Sequence, residues 1–278
     1  MLNLILAICS SAAISLVMRL SSDKVRNNVS MLAVNYMTCL LLSALFTGPR
    51  GLLPRDGETI KALGMGVIHG VLFLAAFVSF QSSVRRNGIV LSAVFMKLGL
   101  LVPMVLSVFL FREMPGAAQI VGFVLALASI ILINFENGAV SGGSMPELVG
   151  LLLLGGTADA MSKIFEELGP AHLSAQFLLY TFATALILCL SLVWIKGQRF
   201  TKWELLFGFV IGIPNFFSAR FLLGALESLA AVIVYPAYSV AAMLLITLAG
   251  VVFFRERLKT RQWIALGMIL LALALLNL

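Results

Sequence analysis

Residues 111–134 read FREMPGAAQIVGFVLALASIILIN, and residues 254–277 read FRERLKTRQWIALGMILLALALLN. Both stretches are 24 residues long, stand 143 positions apart and share seven identities: the Phe-Arg-Glu opening, a Gln, two Leu and a closing Asn. The same offset sets Met18 on Met161, Leu63 on Leu206, Val67 on Val210, Phe73 on Phe216 and Ala76 on Ala219. Single apolar matches recur by chance in an apolar chain. The in-register Phe-Arg-Glu, Gln and terminal Asn are more specific, and they indicate an internal duplication.

The solvent of this chain follows from its composition. Hydrophobic residues make up 61% and charged residues 11%, against about 25% charged in soluble domains. A water-exposed surface needs polar cover, and this chain has too little of it. The bilayer is the solvent that fits. The net charge of +7 does not indicate nucleic acid, because Lys and Arg sit between apolar runs, where membrane loops carry them. Cys9, Cys39 and Cys189 lie inside apolar runs and read as small hydrophobes. No Cys or His cluster has metal-ligand spacing, so no metal or other cofactor is expected.

A spanning helix needs about 20 mostly apolar residues. Ten segments qualify: 2–20, 30–47, 61–82, 88–111, 116–135, 146–164, 173–195, 203–225, 229–254 and 260–277. The N-terminal run lacks a basic n-region and reads as a first span, not a signal peptide. The fold class is therefore all-α integral membrane. The Gly/Ser-rich segment 138–143 is the linker between a first five-helix repeat, 1–137, and a second, 144–278. An odd number of spans per repeat makes the second repeat enter the bilayer inverted. Inverted repeats in secondary transporters enclose a substrate site near the midplane. Short connections 1–2, 3–4, 7–8 and 9–10 hold twelve Lys and Arg, and the opposite side holds five, so the charge rule places both termini outside the cytoplasm. Trp194, Trp203 and Trp263 fall at expected span ends.

The paired motifs SVFLFREMPGAAQIVGFVLALASIILIN and LAGVVFFRERLKTRQWIALGMILLALALLN resemble the fourth-to-fifth span junctions of the ten-span drug/metabolite transporter superfamily, in its EamA-like branch. AAVIVYPAYSVAAMLLITLAG resembles the ninth span, with Pro236 in the usual place. The resemblance covers essentially the whole chain. It implies transport of a small-molecule substrate through the bacterial cytoplasmic membrane by alternating access. It also implies termini in the cytoplasm, against the loop charge. Small multidrug relatives bind cations through an acid in the first span, and span one here has none.

Charges inside the bilayer are costly, so each needs a reason. Lys97, nine residues past Gly88, lies roughly 13 Å into its span. Arg220, seven residues before Glu227, lies roughly 10 Å deep, after Gly212 and Pro214, which can kink the helix. Asp159 stands four residues before Lys163. Its simpler reading is a local ion pair with that lysine; the sharper one is an acid aimed at the cavity. Structural pairing explains Lys97 equally well, and snorkelling explains Arg220. Asn35, Asn215, Tyr235 and Tyr238 are candidate polar anchors for substrate, with packing as the simpler account of each. His69 is the candidate for proton coupling, and a hydrogen bond to a neighbouring helix is its simpler role. Glu113 and Glu256 read as interfacial partners of the preceding arginines. The glycines of GMGVIHG, 64–70, read as a helix-packing stripe.

Two deep cations against one deep anion favour a substrate bearing a negative group, such as an amino acid or another carboxylate. A cationic-compound or drug exporter of the same superfamily is one alternative, and a lipid-handling or structural membrane protein is another. An enzyme is disfavoured, because His69 and His172 sit in no catalytic motif. Proton or counter-substrate coupling is the expected drive, as no Gly-rich nucleotide loop is present. Ten spans suffice for a cavity in a monomer; a homodimer is the other arrangement.

Overall fold

The computed structural model of the chain describes residues 1–21, 24–48, 51–87, 92, 95–96, 98–134, 144–254 and 260–276. Ten α-helices follow one another among them: α1 (Leu2–Ser21), α2 (Asn28–Thr47), α3 (Gly57–Asn87), α4 (Leu101–Leu110), α5 (Ala117–Asn134), α6 (Met145–Leu168), α7 (Ser174–Ile195), α8 (Lys202–Leu226), α9 (Ala231–Phe254) and α10 (Thr260–Leu276). In lipid a backbone must satisfy its own polar groups, and helices do so within each segment. Seven of these helices are long and apolar enough to cross a membrane; α4, α5 and α10 contribute shorter apolar stretches. Segment 138–143 and Lys97 lie outside the described residues.

Helix ends follow local chemistry more than hydropathy. α3 starts at Gly57, earlier than its apolar run, because the Asp56 carboxylate accepts from the Thr59 amide at 2.8 Å and caps the first turn. It also runs on to Asn87, where polar side chains find partners at the start of α6: Ser82 donates to Glu147 at 2.6 Å, and the Ser144 amide donates to Asn87 at 2.6 Å. α6 continues through Glu166 and Glu167 and stops at Gly169 and Pro170, the first true breakers. α2 ends at Gly48, whose φ of 73° is left-handed.

Contacts divide the chain into two compact units. Unit one comprises Met1–Leu74 and Ile164–Glu227; unit two comprises Ala75–Lys163 and Ser228–Leu278. Each unit draws helices from before and after the linker, and α3 and α6 each pass from one unit into the other.

In unit one, α1 packs on α8, and α2 packs on both α7 and α8. The core is Tyr36, Cys39, Phe177, Phe182, Phe216 and Leu223 with their neighbours. Close helix approach rests on glycine. A Cβ on Gly208 of α8 would stand 2.6 Å from the Met31 carbonyl of α2, and one on Gly70 of α3 would stand 2.5 Å from the Thr181 carbonyl of α7. Under the 143-residue offset α3 corresponds to α8 and α2 to α7. The third span of each repeat thus lays its small residues against the second span of the other.

In unit two, α5 packs along α10, and α9 touches α4, α5 and α10. Leu100, Phe123, Ala126, Ile130, Val240, Ile269, Ala272 and Leu276 form its core. Large apolar side chains such as Leu45 and Ile187 in unit one and Phe109 and Val252 in unit two are exposed, as helices bathed in acyl chains require.

Candidate functional site

The polar side chains that sequence singled out within spans lie in both units. In unit one, Asn35 of α2 is buried and its Oδ1 accepts from Asn215 Nδ2 of α8 at 3.2 Å. Both residues lie near the middle of their helices, so the amide pair sits far from either membrane surface. Beside it the Cys39 thiol donates to the Gly212 carbonyl at 3.3 Å. Pro214 interrupts α8 here, removing one backbone donor and leaving the carbonyl four residues earlier without its helical partner. An amide pair at a proline break is a place where an apolar bundle offers hydrogen bonds to a solute.

His69 of α3 is 1% exposed. Its ring lies between Phe73 and Phe177, with centroids at 4.5 and 5.1 Å. Its Nδ1 is 3.4 Å from Thr181 Oγ1, and that hydroxyl spends its hydrogen on the Phe177 carbonyl at 2.8 Å. The imidazole Nδ1 is therefore the donor of the pair. Arg220 of α8 is half-buried and lies over Phe46, 4.2 Å from the ring centroid. Phe46 is the penultimate residue of α2 and stacks on Phe216 at 5.4 Å. The guanidinium thus reaches the last turn of α2, as a snorkelling arginine does, and gains a cation–π contact on the way.

In unit two, Asp159 of α6 is exposed, and its backbone carbonyl accepts from the Tyr235 hydroxyl of α9 at 2.8 Å. Tyr238, three residues further along α9, is half-buried. Lys97 lies outside the described residues.

One pairing escaped the sequence reading. Lys163 of α6 is 3% exposed, and its Nζ stands 2.8 Å from Glu113 Oε1. The other Glu113 oxygen accepts from the Val232 amide at 3.4 Å, in the first turn of α9. Lys163 also lies 5.8 Å from the centre of the Phe111 ring. Glu113 is therefore more than an interfacial partner for Arg112: it ties the α4–α5 connection to both α6 and α9. Arg112 adopts φ 57°, the left-handed turn that precedes it. The sequence signal was the repeated Phe-Arg-Glu, but nothing in it names a lysine 50 positions later.

Among the described residues no group of three or more His, Cys, Asp or Glu side chains is placed to hold a metal.

Residues 1–135 and 148–278 each match the EamA-like transporter family. The chain is 25% identical to an uncharacterized protein of Haemophilus influenzae over 273 residues, covering 95% of this chain and 93% of that one. A crystal structure of a protein with 18% identity superposes with a TM-score of 0.71, covering 99% of this chain and 98% of the other. At that identity the likeness is one of fold.

Proposed function

Because this chain belongs to the EamA-like transporter family, and is thus a multi-pass integral membrane transporter and not an enzyme, we propose that its cargo is a small organic solute bearing a carboxylate, such as an amino acid. The observation that carries this reading is the Asn35–Asn215 amide pair, with Asn35 buried and Asn215 half-buried, next to Pro214 inside α8. Uncharged hydrogen-bonding groups at mid-span suit a polar solute that is neutral as a whole, and Arg220, whose guanidinium lies at the last turn of α2, would meet its carboxylate at that end of the helix and not beside the amide pair. Lys97, Asp159, Tyr235 and Tyr238 are proposed separately as further substrate-binding residues. Alternating access is the proposed mode of transport, with the repeats 1–137 and 144–278 both contributing helices. His69 is the proposed proton-coupling residue, with counter-substrate exchange as the other drive.

A cationic compound is the second reading, and exposed Asp159 on a spanning helix is what favours it. A thermal-shift screen of the purified protein against amino acids, sugars, nucleosides and quaternary amines separates the two. Stabilisation by carboxylates, abolished in Asn215→Ala and weakened in Arg220→Ala, is the expected result. Stabilisation by quaternary amines alone, abolished in Asp159→Asn, assigns the second reading. Proteoliposome flux then tests coupling: flux in His69→Phe that still follows an imposed pH gradient removes His69 from that role.

A further inference from the structure

Unit one carries opposite charge at its two ends. One end is built from the α1–α2 and α7–α8 connections. It gathers exposed Lys24, Arg26, Lys196, Arg199 and Lys202. Among the described residues the other end, from the α2–α3 and α6–α7 connections and the end of α8, holds Asp56, Glu58, Glu166, Glu167 and Glu227 against Arg55 and Lys61, and sequence adds Arg50 there. The cations come from segments about 175 residues apart in sequence, so only the fold assembles them.

The basic end is also rigidly built. Glu204, 0% exposed, accepts from the Arg26 and Asn27 amides at 3.0 and 3.1 Å and from the Thr201 amide at 3.0 Å, and it also takes the Thr201 hydroxyl. Asn27 Nδ2 donates to the Arg199 carbonyl at 3.1 Å. The two connections are thereby pinned together. Glu204 turns its carboxylate inward onto these amides. Among the described residues none of the five cations makes an ion pair; sequence adds one acid, Asp23, beside them.

Trp203 marks the depth. Its ring is half-buried at the first turn of α8, where indoles settle at the headgroup level. Lys24 Nζ lies 4.6 Å from the ring centre and Lys202 Nζ 5.3 Å. The ammonium groups of Lys24, in the α1–α2 connection, and of Lys202, the first residue of α8, thus lie beside one indole.

We propose that this end of unit one is a binding site for the headgroup of an anionic phospholipid. Lys24 and Lys202 receive the phosphate, Trp203 packs against the glycerol and upper acyl chain, and Arg26 and Arg199 supply the surrounding positive field. Juxtamembrane cations attract anionic lipid in this way, and the site places the basic end at the anionic cytoplasmic leaflet.

The test uses the full chain with Trp194→Phe and Trp263→Phe, leaving Trp203 as the reporter, in bilayers carrying brominated phosphatidylglycerol or brominated phosphatidylcholine. Quenching of Trp203 should show a several-fold preference for phosphatidylglycerol. Lys24→Gln with Lys202→Gln should reduce that preference to near one, while Arg55→Gln at the opposite end should leave it intact. Equal quenching by the two lipids overturns the proposal, as does a preference that survives the double substitution. Displacement by inorganic phosphate, beyond chloride at equal ionic strength, would mean a site for soluble anions and would also overturn it.

Discussion

Lys61 and Glu204 occupy the same place in the two repeats, 143 positions apart, yet carry opposite charge. Each opens a third span, and each reaches onto the connection that follows a first span. Lys61 donates to the Leu168 carbonyl at the end of α6, while Glu204 accepts amides just ahead of α2. A helix end presents unsatisfied carbonyls and a helix start presents unsatisfied N–H groups, so one anchor must be a cation and the other an anion. Glu204→Gln should therefore destabilise the protein by about 2 kcal/mol, since it removes charge-assisted hydrogen bonds to amides. Hydrogen exchange at the Arg26 and Asn27 amides should quicken, and exchange at 168–172 should not. The Lys163–Glu113 pair calls for a double-mutant cycle. Lys163→Met or Glu113→Gln alone should cost about 1–3 kcal/mol by removing a charge-assisted hydrogen bond, while the double substitution should cost less than the sum of the two. Additive losses in thermal unfolding would mean that the two side chains do not depend on each other.

At the scale of helices, the glycines of GMGVIHG separate into two kinds. Gly66 and Gly70 press against the α7 backbone, but nothing lies within 4 Å of a Cβ placed on Gly64. The expected packing stripe is thus narrower than the motif. Gly70→Leu should abolish accumulation of folded protein, because backbone on the other side cannot yield, whereas Gly64→Leu should be tolerated. Gly212→Leu on α8, against α2, should match Gly70→Leu in severity, because the two helices play the same part in their repeats. Size-exclusion profiles of the three variants in detergent check this. If Gly212→Leu is harmless while Gly70→Leu is not, the reciprocal packing of third spans on second spans is wrong.

For the molecule as a whole, the prediction concerns the linker. Each compact unit takes helices from both sides of segment 138–143, so neither 1–137 nor 144–278 contains a complete core. Expressed alone, each fragment should be degraded or aggregate. Expressed together from two genes, they should co-purify as a complex that melts cooperatively near the intact chain, since each core draws helices from both fragments. A half that folds and survives alone would show that the repeats, and not the interleaved units, are the folding units.

Sequence by itself determined the solvent, the all-helical class, the duplication and most span limits to within about five residues; of the expected span 88–111, Leu101–Leu110 is the continuous helix among the described residues. These are properties of consecutive residues: hydropathy over about 20 positions, and a repeat that survives at constant offset. Even the errors were local. α3 outran its apolar run because Asp56 caps it and Glu147 receives its end, features that hydropathy does not register. The partners were decided only by the tertiary structure. Lys163 looked complete with Asp159 one turn away, but a helix neighbour is only one of the groups a buried ammonium can meet, and Glu113 arrives from another connection. Arg220 looked deep by residue count, yet its long stem carries the charge to the end of α2. Lys24 and Lys202 come from different repeats and meet at Trp203 only because Glu204 pins the two connections together. Burial and pairing are relations between distant segments, and side-chain length and helix contact set them after the spans have already formed.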